Sequence, residues 1–253
     1  MRINKIKKYK IAILIMILIM IFKGVNSTKE ETITKKMIMK GTELETESYI
    51  IDSGKKGESI FIISGIHGNE IASIEASKIS KKRQIKKGKL IIISKANIDA
   101  CNKKVRNPYY MQDLNRIFPG RTNGTGSEKL AYEIFNLIKK ERPKIVLDLH
   151  EWEENSIGDE KKFSYAMIFN NLNKENLEVF MYLLDQVKRN DEYKDKFTFL
   201  NSPPKGSINK EISQKLKVPV ITLESNMNEE YRERVDFHLY ILNEVIKFYR
   251  LDR

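Results

Sequence analysis

The chain has 253 residues, 41% hydrophobic and 32% charged, a composition that excludes a disordered chain and allows one substantial α/β domain. Its formal net charge is +12, but residues 1–27 hold six basic and no acidic residues, and the remainder has 40 basic against 34 acidic residues, or +6. This mildly basic surface lacks a basic stripe interleaved with aromatic residues, so nucleic-acid binding is not expected.

The first 27 residues have the pattern of a secretory signal. The basic stretch RINKIKKYK precedes twelve apolar residues, Ile11 to Phe22. That run is shorter than the about 20 residues of a membrane-spanning helix but suits a signal peptide. Val25 and Ser27 suit the positions before a cleavage site, so we expect an exported domain over residues 28–253. The alternative is an uncleaved signal that tethers the protein to a membrane.

The hydrophobic pattern after this segment predicts strands that alternate with helices. In chain order we predict strand 57–65, helix 70–80, strand 88–97, helix 127–141, strand 144–150, strand 164–170, helix 173–189, helix 207–217, strand 219–225 and helix 229–250. Ser127 is the predicted N-cap of the second helix. Strands this rich in Ile, Val and Leu favour a mostly parallel, mixed sheet covered on both faces. The predicted fold is a single three-layer α/β/α domain.

Three predicted strands end in residues that can bind a metal or move a proton. The first strand runs into His67 and Glu70 in GIHGNE, IVLDLH ends at His150, and PVITLES reaches Glu224. Sites in such sheets form at the carboxyl ends of strands. Two imidazoles and a carboxylate are the protein ligands of many catalytic zinc sites, although other divalent metals also accept them. Glu224 is then the predicted general base. An ordinary polar turn is the alternative for HxxE alone.

Several residues near these motifs have two interpretations. Asp148 shares the strand face of the following histidine and either orients it or is held by backbone amides. Glu151 and Trp152 line the pocket or its rim. The single cysteine, Cys101, is predicted to be packed in the core, and His238 to be a packing or surface residue of the last helix.

The segment VRNPYYMQDLNRIFPGR, residues 105–121, is too polar and too rich in proline and glycine for a core element. It carries Arg106, Asn115, Arg116 and Arg121 around an apolar pair. A guanidinium group can bind a planar carboxylate through two hydrogen bonds. We therefore predict that this loop forms the substrate-binding side of the pocket, with a solvated basic loop as the alternative.

Four motifs in this order, GIHGNE, NPYYMQDLNRIFPG, DLH and TLES, resemble the zinc carboxypeptidase superfamily. The closer resemblance is to its branch of succinylglutamate desuccinylase and aspartoacylase-like deacylases, over residues 57–226. The resemblance implies an α/β/α fold around a mixed sheet and one zinc per chain, held by His67, Glu70 and His150. It also implies that Glu224 is the general base.

The same resemblance assigns roles within the 105–121 loop. Arg106 would stabilise the oxyanion, while Asn115 and Arg116 would bind a substrate carboxylate. The chain also departs from the family. Aspartoacylase-type enzymes add a C-terminal β-rich domain, whereas the 29 residues after Glu224 are predicted to form one helix. Arg106 precedes Asn115 by nine residues, a spacing that fits the carboxypeptidases better. We therefore expect an open site.

These observations predict an exported zinc-dependent amide hydrolase. The first version is a deacylase that acts on an N-acyl amino acid or a related amide bearing a carboxylate. The alternative is a metallocarboxypeptidase that removes C-terminal residues from peptides, such as cell-wall peptides. A third hypothesis, a catalytically silent binding protein, is disfavoured because all three predicted ligands and the base are present.

Overall fold

A computed structural model of the protein describes residues 30–153, 163–170 and 174–253. The predicted signal segment, residues 1–27, lies outside the described residues. The described elements are β1 Thr32–Ile38, β2 Thr46–Asp52, β3 Ser59–Ile63, α1 Ile71–Ser80, β4 Lys89–Ile93, α2 Ile98–Lys103, a 3-10 turn Leu114–Arg116, α3 Gly126–Glu141, β5 Ile145–Trp152, β6 Tyr165–Phe169, α4 Lys174–Arg189, β7 Phe197–Leu200, α5 Ile208–Lys215, β8 Val220–Asn226 and α6 Tyr231–Phe248. Among these helices, none combines the length and apolar content needed to cross a membrane.

The strands form one mixed sheet in the order β1-β2-β4-β3-β5-β8-β6-β7. Its centre is parallel, because β3 pairs in parallel with β4 and β5, and β5 with β8. β2 and β6 run antiparallel to their neighbours in this central group. The carboxyl ends of β3, β5 and β8 therefore lie side by side at one edge of the sheet.

The core has two halves, one on each face of the sheet. Alternate side chains of a strand point to opposite faces. Ile60 and Ile62 of β3 pack in the half that includes α1, α4 and α6, whereas Phe61 and Ile63 pack in the half that includes α3 and α5. Burial on both faces explains why the central strands read as continuous apolar runs. The predicted three-layer α/β/α fold is confirmed.

The hydrophobic pattern does not predict the strands β1, β2 and β7, which the structure contains. β1, TITKKMI, is an edge strand in which only Ile38 is buried, so its residues carry almost no apolar pattern. β7, FTFL, is the opposite edge and is half-exposed or exposed throughout. Edge strands hold their place through backbone pairing with one neighbour, which leaves little trace in a hydrophobic pattern.

The predicted N-cap of the 127–141 helix is wrong. The helix begins at Gly126, and Thr125 is its cap. The Thr125 hydroxyl accepts a hydrogen bond from the Glu128 amide, and the Glu128 carboxylate accepts one from the Thr125 amide. This reciprocal pair satisfies two amides that the helix cannot satisfy itself, so the cap lies two residues before Ser127.

Candidate metal centre

Three adjacent parallel strands bring the predicted site residues together. β3 leads into the turn that holds His67 and Glu70, β5 carries His150, and β8 carries Glu224. His150 and Glu224 are paired in register on neighbouring strands. The four side chains come from three distant parts of the chain and meet at one sheet edge, where sites in parallel sheets form.

The three predicted ligands lie close together: one ligand atom from each of His67, Glu70 and His150 is within 4.8 Å of the other two. The two Glu70 oxygens lie 2.7 Å from His67 Nδ1 and 2.9 Å from His150 Nδ1. All three side chains are buried, at 2% exposure or less. The predicted ligand triad is therefore assembled around a carboxylate that faces the Nδ1 atoms of both rings.

The chemistry of this donor set fits a divalent cation. Glu70 Oε2 is buried and has no hydrogen-bond donor within the described residues, although an imidazole nitrogen lies beside it. Burial alone would raise the pKa of Glu70, but the charges of His150 and His67 outweigh it and hold that pKa at about 2. The carboxylate thus stays ionised in a site that favours positive charge. Two imidazoles and one carboxylate are a common set for zinc.

The outer ring nitrogens each face a second carboxylate. Asp113 Oδ1 lies 3.0 Å from His67 Nε2, and Asp148 Oδ1 lies 3.0 Å from His150 Nε2. The other Asp148 oxygen accepts a hydrogen bond from the Thr222 hydroxyl. Carboxylates in such positions fix the tautomer and orientation of histidine ligands. This is the orienting position proposed for Asp148 from the sequence.

Asp113 is a site residue that the sequence motifs did not predict. It lies 46 residues from His67 along the chain, within the loop motif QDLNR. Its spacing to Asn115 and Arg116 was visible, but nothing local indicated that it turns toward a histidine. Contacts with His67 and the Asn115 amide outweigh burial and lower its pKa well below the usual range.

The two histidines share an electrostatic setting that favours a bound proton or a cation. Burial would lower the pKa of His67, but Glu70 and Asp113 outweigh it and the pKa is raised above 6.5. Burial opposes protonation of His150 too, yet Asp148 and Glu70 raise its pKa well above 6.5. A metal ion at this site must displace those protons, so its affinity depends on pH.

Glu224 differs from the other carboxylates of the site because it lacks a compensating partner. Its Oε2 atom is buried and has no hydrogen-bond partner within the described part of the chain. Burial, with smaller contributions from Glu70 and Asp148, raises its pKa to about 8 against the opposing effect of His150. A cation nearby would lower this pKa toward neutrality. Such a carboxyl group can accept and release a proton.

The 105–121 loop lies against this edge of the sheet. Arg106 is half-exposed, with guanidinium nitrogens 3.4 Å from Asp113 and 3.8 Å from Glu70. Arg116 is exposed and donates to the Asn115 carbonyl. Asn115 is buried, its side-chain oxygen accepts from the Ile208 amide, and its side-chain nitrogen lies 3.4 Å from His150 Nε2. Asn115 thus forms part of the pocket wall.

These residues surround an open pocket of about 460 Å³. Its polar lining includes Arg106 and Arg116 of the loop, His67 and Glu70 of the ligand triad, and Glu224. Apolar side chains also line the pocket, namely Trp152, Ile168, Leu200, Pro203, Pro204 and Met227. The pocket therefore suits a molecule with an anionic group and a less polar remainder.

Three residues singled out from the sequence are not part of the ligand triad. Cys101 is buried, its thiol contacts the Gly65 carbonyl, and burial raises its pKa to about 12, which agrees with a packed residue. His238 is fully buried on α6, so the packing alternative holds. Arg121 pairs with Glu128 of α3 instead of lining the pocket.

Comparison with known proteins connects this geometry with one family. A family model described as the succinylglutamate desuccinylase/aspartoacylase catalytic domain matches residues 56–194. An N-alpha-acetyl-L-2,4-diaminobutyric acid deacetylase of Halomonas elongata is 33% identical over 99 residues, which is 38% of this chain and only 29% of that relative's length.

Two solved structures share the fold at low sequence identity. A succinylglutamate desuccinylase from Silicibacter sp. TM1040 superposes with a TM-score of 0.67 and 17% identity, over 89% of this chain and 72% of that one. The mDAP-bound form of Helicobacter pylori Csd4, a D,L-carboxypeptidase, gives a TM-score of 0.66 and 16% identity, over 77% and 51%. Because the family model covers more than half of the 253 residues, the chain belongs to the succinylglutamate desuccinylase/aspartoacylase family, whose members hydrolyse amide bonds.

Proposed function

We propose that this protein is an exported, zinc-dependent deacylase that hydrolyses the amide bond of an N-acyl amino acid or a related amide bearing a carboxylate. The observation that carries the proposal is the convergence of His67, Glu70 and His150 beside Glu224, at the wall of an open pocket. The deacetylase relative and the family match support the reaction class. Export is supported by the signal-like pattern of residues 1–27.

His67, Glu70 and His150 would hold the zinc ion. When bound, zinc supplies Lewis-acid chemistry that polarises the substrate carbonyl and makes water a better nucleophile. Asp113 and Asp148 keep both imidazoles oriented for this task. Glu224 takes a proton from the attacking water and passes it to the leaving nitrogen. Its raised pKa makes Glu224 a stronger base than an ordinary carboxylate, which favours the first of these transfers.

Arg106 and Arg116 have different proposed roles. Arg106 reaches toward Glu70 and Asp113 and is half-exposed, so its guanidinium can stabilise negative charge that develops on the carbonyl oxygen. Arg116 is exposed on the pocket wall, where it can bind the substrate carboxylate. Asn115 holds the loop in place through the Ile208 amide. The proposed substrate is thus oriented with its carboxylate toward Arg116.

A second candidate function is a metallocarboxypeptidase that removes a C-terminal residue from a short peptide. Two observations favour it: the likeness to a D,L-carboxypeptidase structure and the open pocket. In this version, the carboxylate at Arg116 belongs to the departing amino acid. In the deacylase version, the departing amino acid also carries the carboxylate. The two versions differ in the acyl side of the amide bond, which is a small acyl group in the deacylase and a peptide in the carboxypeptidase.

A mixed substrate panel separates the two versions. The zinc-loaded protein is incubated with N-acyl amino acids, including N-succinylglutamate and N-acetylaspartate, and with short peptides that have free or amidated C-termini. Products are identified by mass spectrometry. Cleavage of N-acyl amino acids supports the deacylase. Cleavage only of peptides with a free C-terminus supports the carboxypeptidase, and no cleavage of either group by a metal-loaded protein contradicts both.

The substitution Glu224→Gln tests the general base. Glutamine keeps the shape of the side chain but cannot take up a proton, so kcat should fall by about 10²- to 10⁴-fold. Zinc content, measured by elemental analysis, should stay at one ion per chain. Glu229→Gln, which changes a half-buried carboxylate that accepts a hydrogen bond from Ser164, is the matched control. Hydrolysis by Glu224→Gln within a few-fold of the unaltered protein would show that the assignment is wrong.

A further inference from the structure

Helix α1 begins directly after the proposed ligand Glu70, and it lacks a cap of its own. Glu70 occupies the N-cap position but makes no side-chain capping bond. Its carboxylate instead lies against the Nδ1 atoms of His67 and His150. The first amides of a helix need acceptors from elsewhere when the N-cap side chain does not provide one.

Glu151 provides that acceptor from another strand. Its Oε2 atom accepts a hydrogen bond from the Ala72 amide, in the first turn of α1, at 2.8 Å. Glu151 directly follows the proposed ligand His150 at the end of β5. One carboxylate therefore ties the strand that carries one ligand to the helix that begins at another.

The second oxygen of Glu151 is held by the C-terminal helix. Arg234 of α6 donates from Nη1 to Glu151 Oε1 at 2.5 Å, and Ser225 Oγ lies 3.4 Å from the same oxygen. Both members of the ion pair are buried, with Glu151 exposed by 2% and Arg234 by 8%. Ser225 follows Glu224 on β8, so the network also touches the strand of the proposed base.

We propose that the buried Glu151–Arg234 pair is a positioning unit that sets the distance between the two parts of the metal site. This inference rests on the proposed metal site described above. A buried ion pair is weak evidence for stability, because desolvation of both charges offsets their attraction. The pair contacts the two elements that carry Glu70 and His150, so its role is to position these ligands. Glu151 keeps the Glu70 turn and the His150 strand end in register, and Arg234 keeps Glu151 in place.

Zinc affinity, measured by competition with a chelating dye well below the unfolding temperature, tests the proposal. Two altered proteins are compared with the unaltered full chain. Glu151→Gln neutralises the carboxylate, and the double change Glu151→Leu with Arg234→Met removes both charges, so no buried charge is left unpaired. Zinc affinity should fall by about 10- to 100-fold in each, as for other residues that orient metal ligands. The visible spectrum of the cobalt-loaded proteins should change as well.

The control is Glu244→Gln on the same helix. Glu244 is also a buried carboxylate, with hydrogen bonds from Tyr182 and Lys247, but it makes none to the ligand elements. Glu244→Gln should lower the unfolding temperature without changing zinc affinity. A folded Glu151 variant with zinc affinity within about twofold of the unaltered protein would overturn the inference. Failure of the double variant to fold would do so too, because the pair would then serve the fold as a whole.

Failure of the metal site on which the proposed function depends gives a different result. In that case the unaltered protein takes up no zinc, and the substitution His150→Ala does not change zinc binding. If the unaltered protein binds one zinc ion and His150→Ala abolishes binding, the metal site stands. The Glu151 variants then decide the positioning role alone.

Discussion

The three histidines of this chain have opposite preferences for a proton, because they have different neighbours. His67 and His150 each lie beside two carboxylates, and both pKa values are raised despite burial. His238 is equally buried but contacts the Ser225 hydroxyl, at 3.1 Å, and its Nδ1 atom has no partner in the described structure. Burial lowers its pKa to about 3. The first two suit a cation site, and the third is held neutral in the core.

The His238 imidazole should make stability depend on pH. Below pH 6.5 the unfolded chain takes up a proton that the folded protein excludes until about pH 3, so this residue destabilises the fold progressively over that interval. His238→Gln cannot titrate and should remove this part of the slope, on the order of a few kcal/mol between the two pH values. Urea unfolding at several pH values measures it. Curves for the two proteins that stay parallel from pH 7 to 4 would contradict the assignment.

The 105–121 loop is held in position by contacts with residues 201–208, which connect β7 to α5 and form the start of α5. The Phe118 amide donates to the Gly206 carbonyl, and the Ile208 amide donates to the Asn115 side chain. Gly206 has φ +75°, and a Cβ atom there would lie 2.0 Å from the Arg116 carbonyl oxygen. The position of Arg116 in the pocket wall therefore requires a glycine at this point of the neighbouring loop.

Gly206→Ala should disturb the pocket wall as well as the fold. We expect about 2–4 kcal/mol lower unfolding free energy, from left-handed strain together with overpacking against backbone. KM for the carboxylate substrate should rise because Arg116 is displaced. Gly41→Ala is the matched control, since Gly41 has φ +78° and nothing within 4 Å of an added Cβ. It should cost about 1–2 kcal/mol and leave KM unchanged. An unchanged KM in Gly206→Ala would separate this loop from substrate binding.

At the scale of the molecule, the proposed metal site joins segments that are distant in the chain. His67 and Glu70 follow β3, whereas His150 lies on β5, and the unfolded chain does not hold these groups together. A cation that binds the folded state alone stabilises it by mass action. Metal binding and global stability are therefore linked.

Zinc should raise the unfolding temperature of the protein. At a free concentration of about 100 times Kd the gain is about 2.7 kcal/mol, or roughly 5–10 °C for a chain of this size. The shift should shrink as pH falls, because the raised pKa values of His67 and His150 mean that protons compete with the metal. Thermal scans with and without zinc measure it. His150→Ala should abolish the shift and His238→Gln should retain it; loss of the shift in both would contradict the ligand assignment.

The chain's own pattern was enough to predict the central strands, most helices and the layered fold. Buried parallel strands are apolar on both faces, and apolar residues in amphipathic helices repeat about every 3.6 positions. Both patterns can be recognised locally in the sequence. The edge strands β1 and β7 left none, since backbone pairing to one neighbour places few demands on side chains. The sequence did not distinguish Thr125 from Ser127 as the cap, because both side chains can cap a helix and only the backbone geometry decides between them.

The types of site residue and their order follow from the amino-acid sequence alone: His67 with Glu70 after one predicted strand, His150 and Glu224 at the ends of two others. Local motifs carry this information because ligand chemistry requires particular side chains at particular strand ends. Only the tertiary structure decided that Asp113 faces His67 and that Glu151 caps α1. Those contacts join residues 46 and 79 positions apart and depend on strand order and side-chain direction, which arise when the whole sheet assembles.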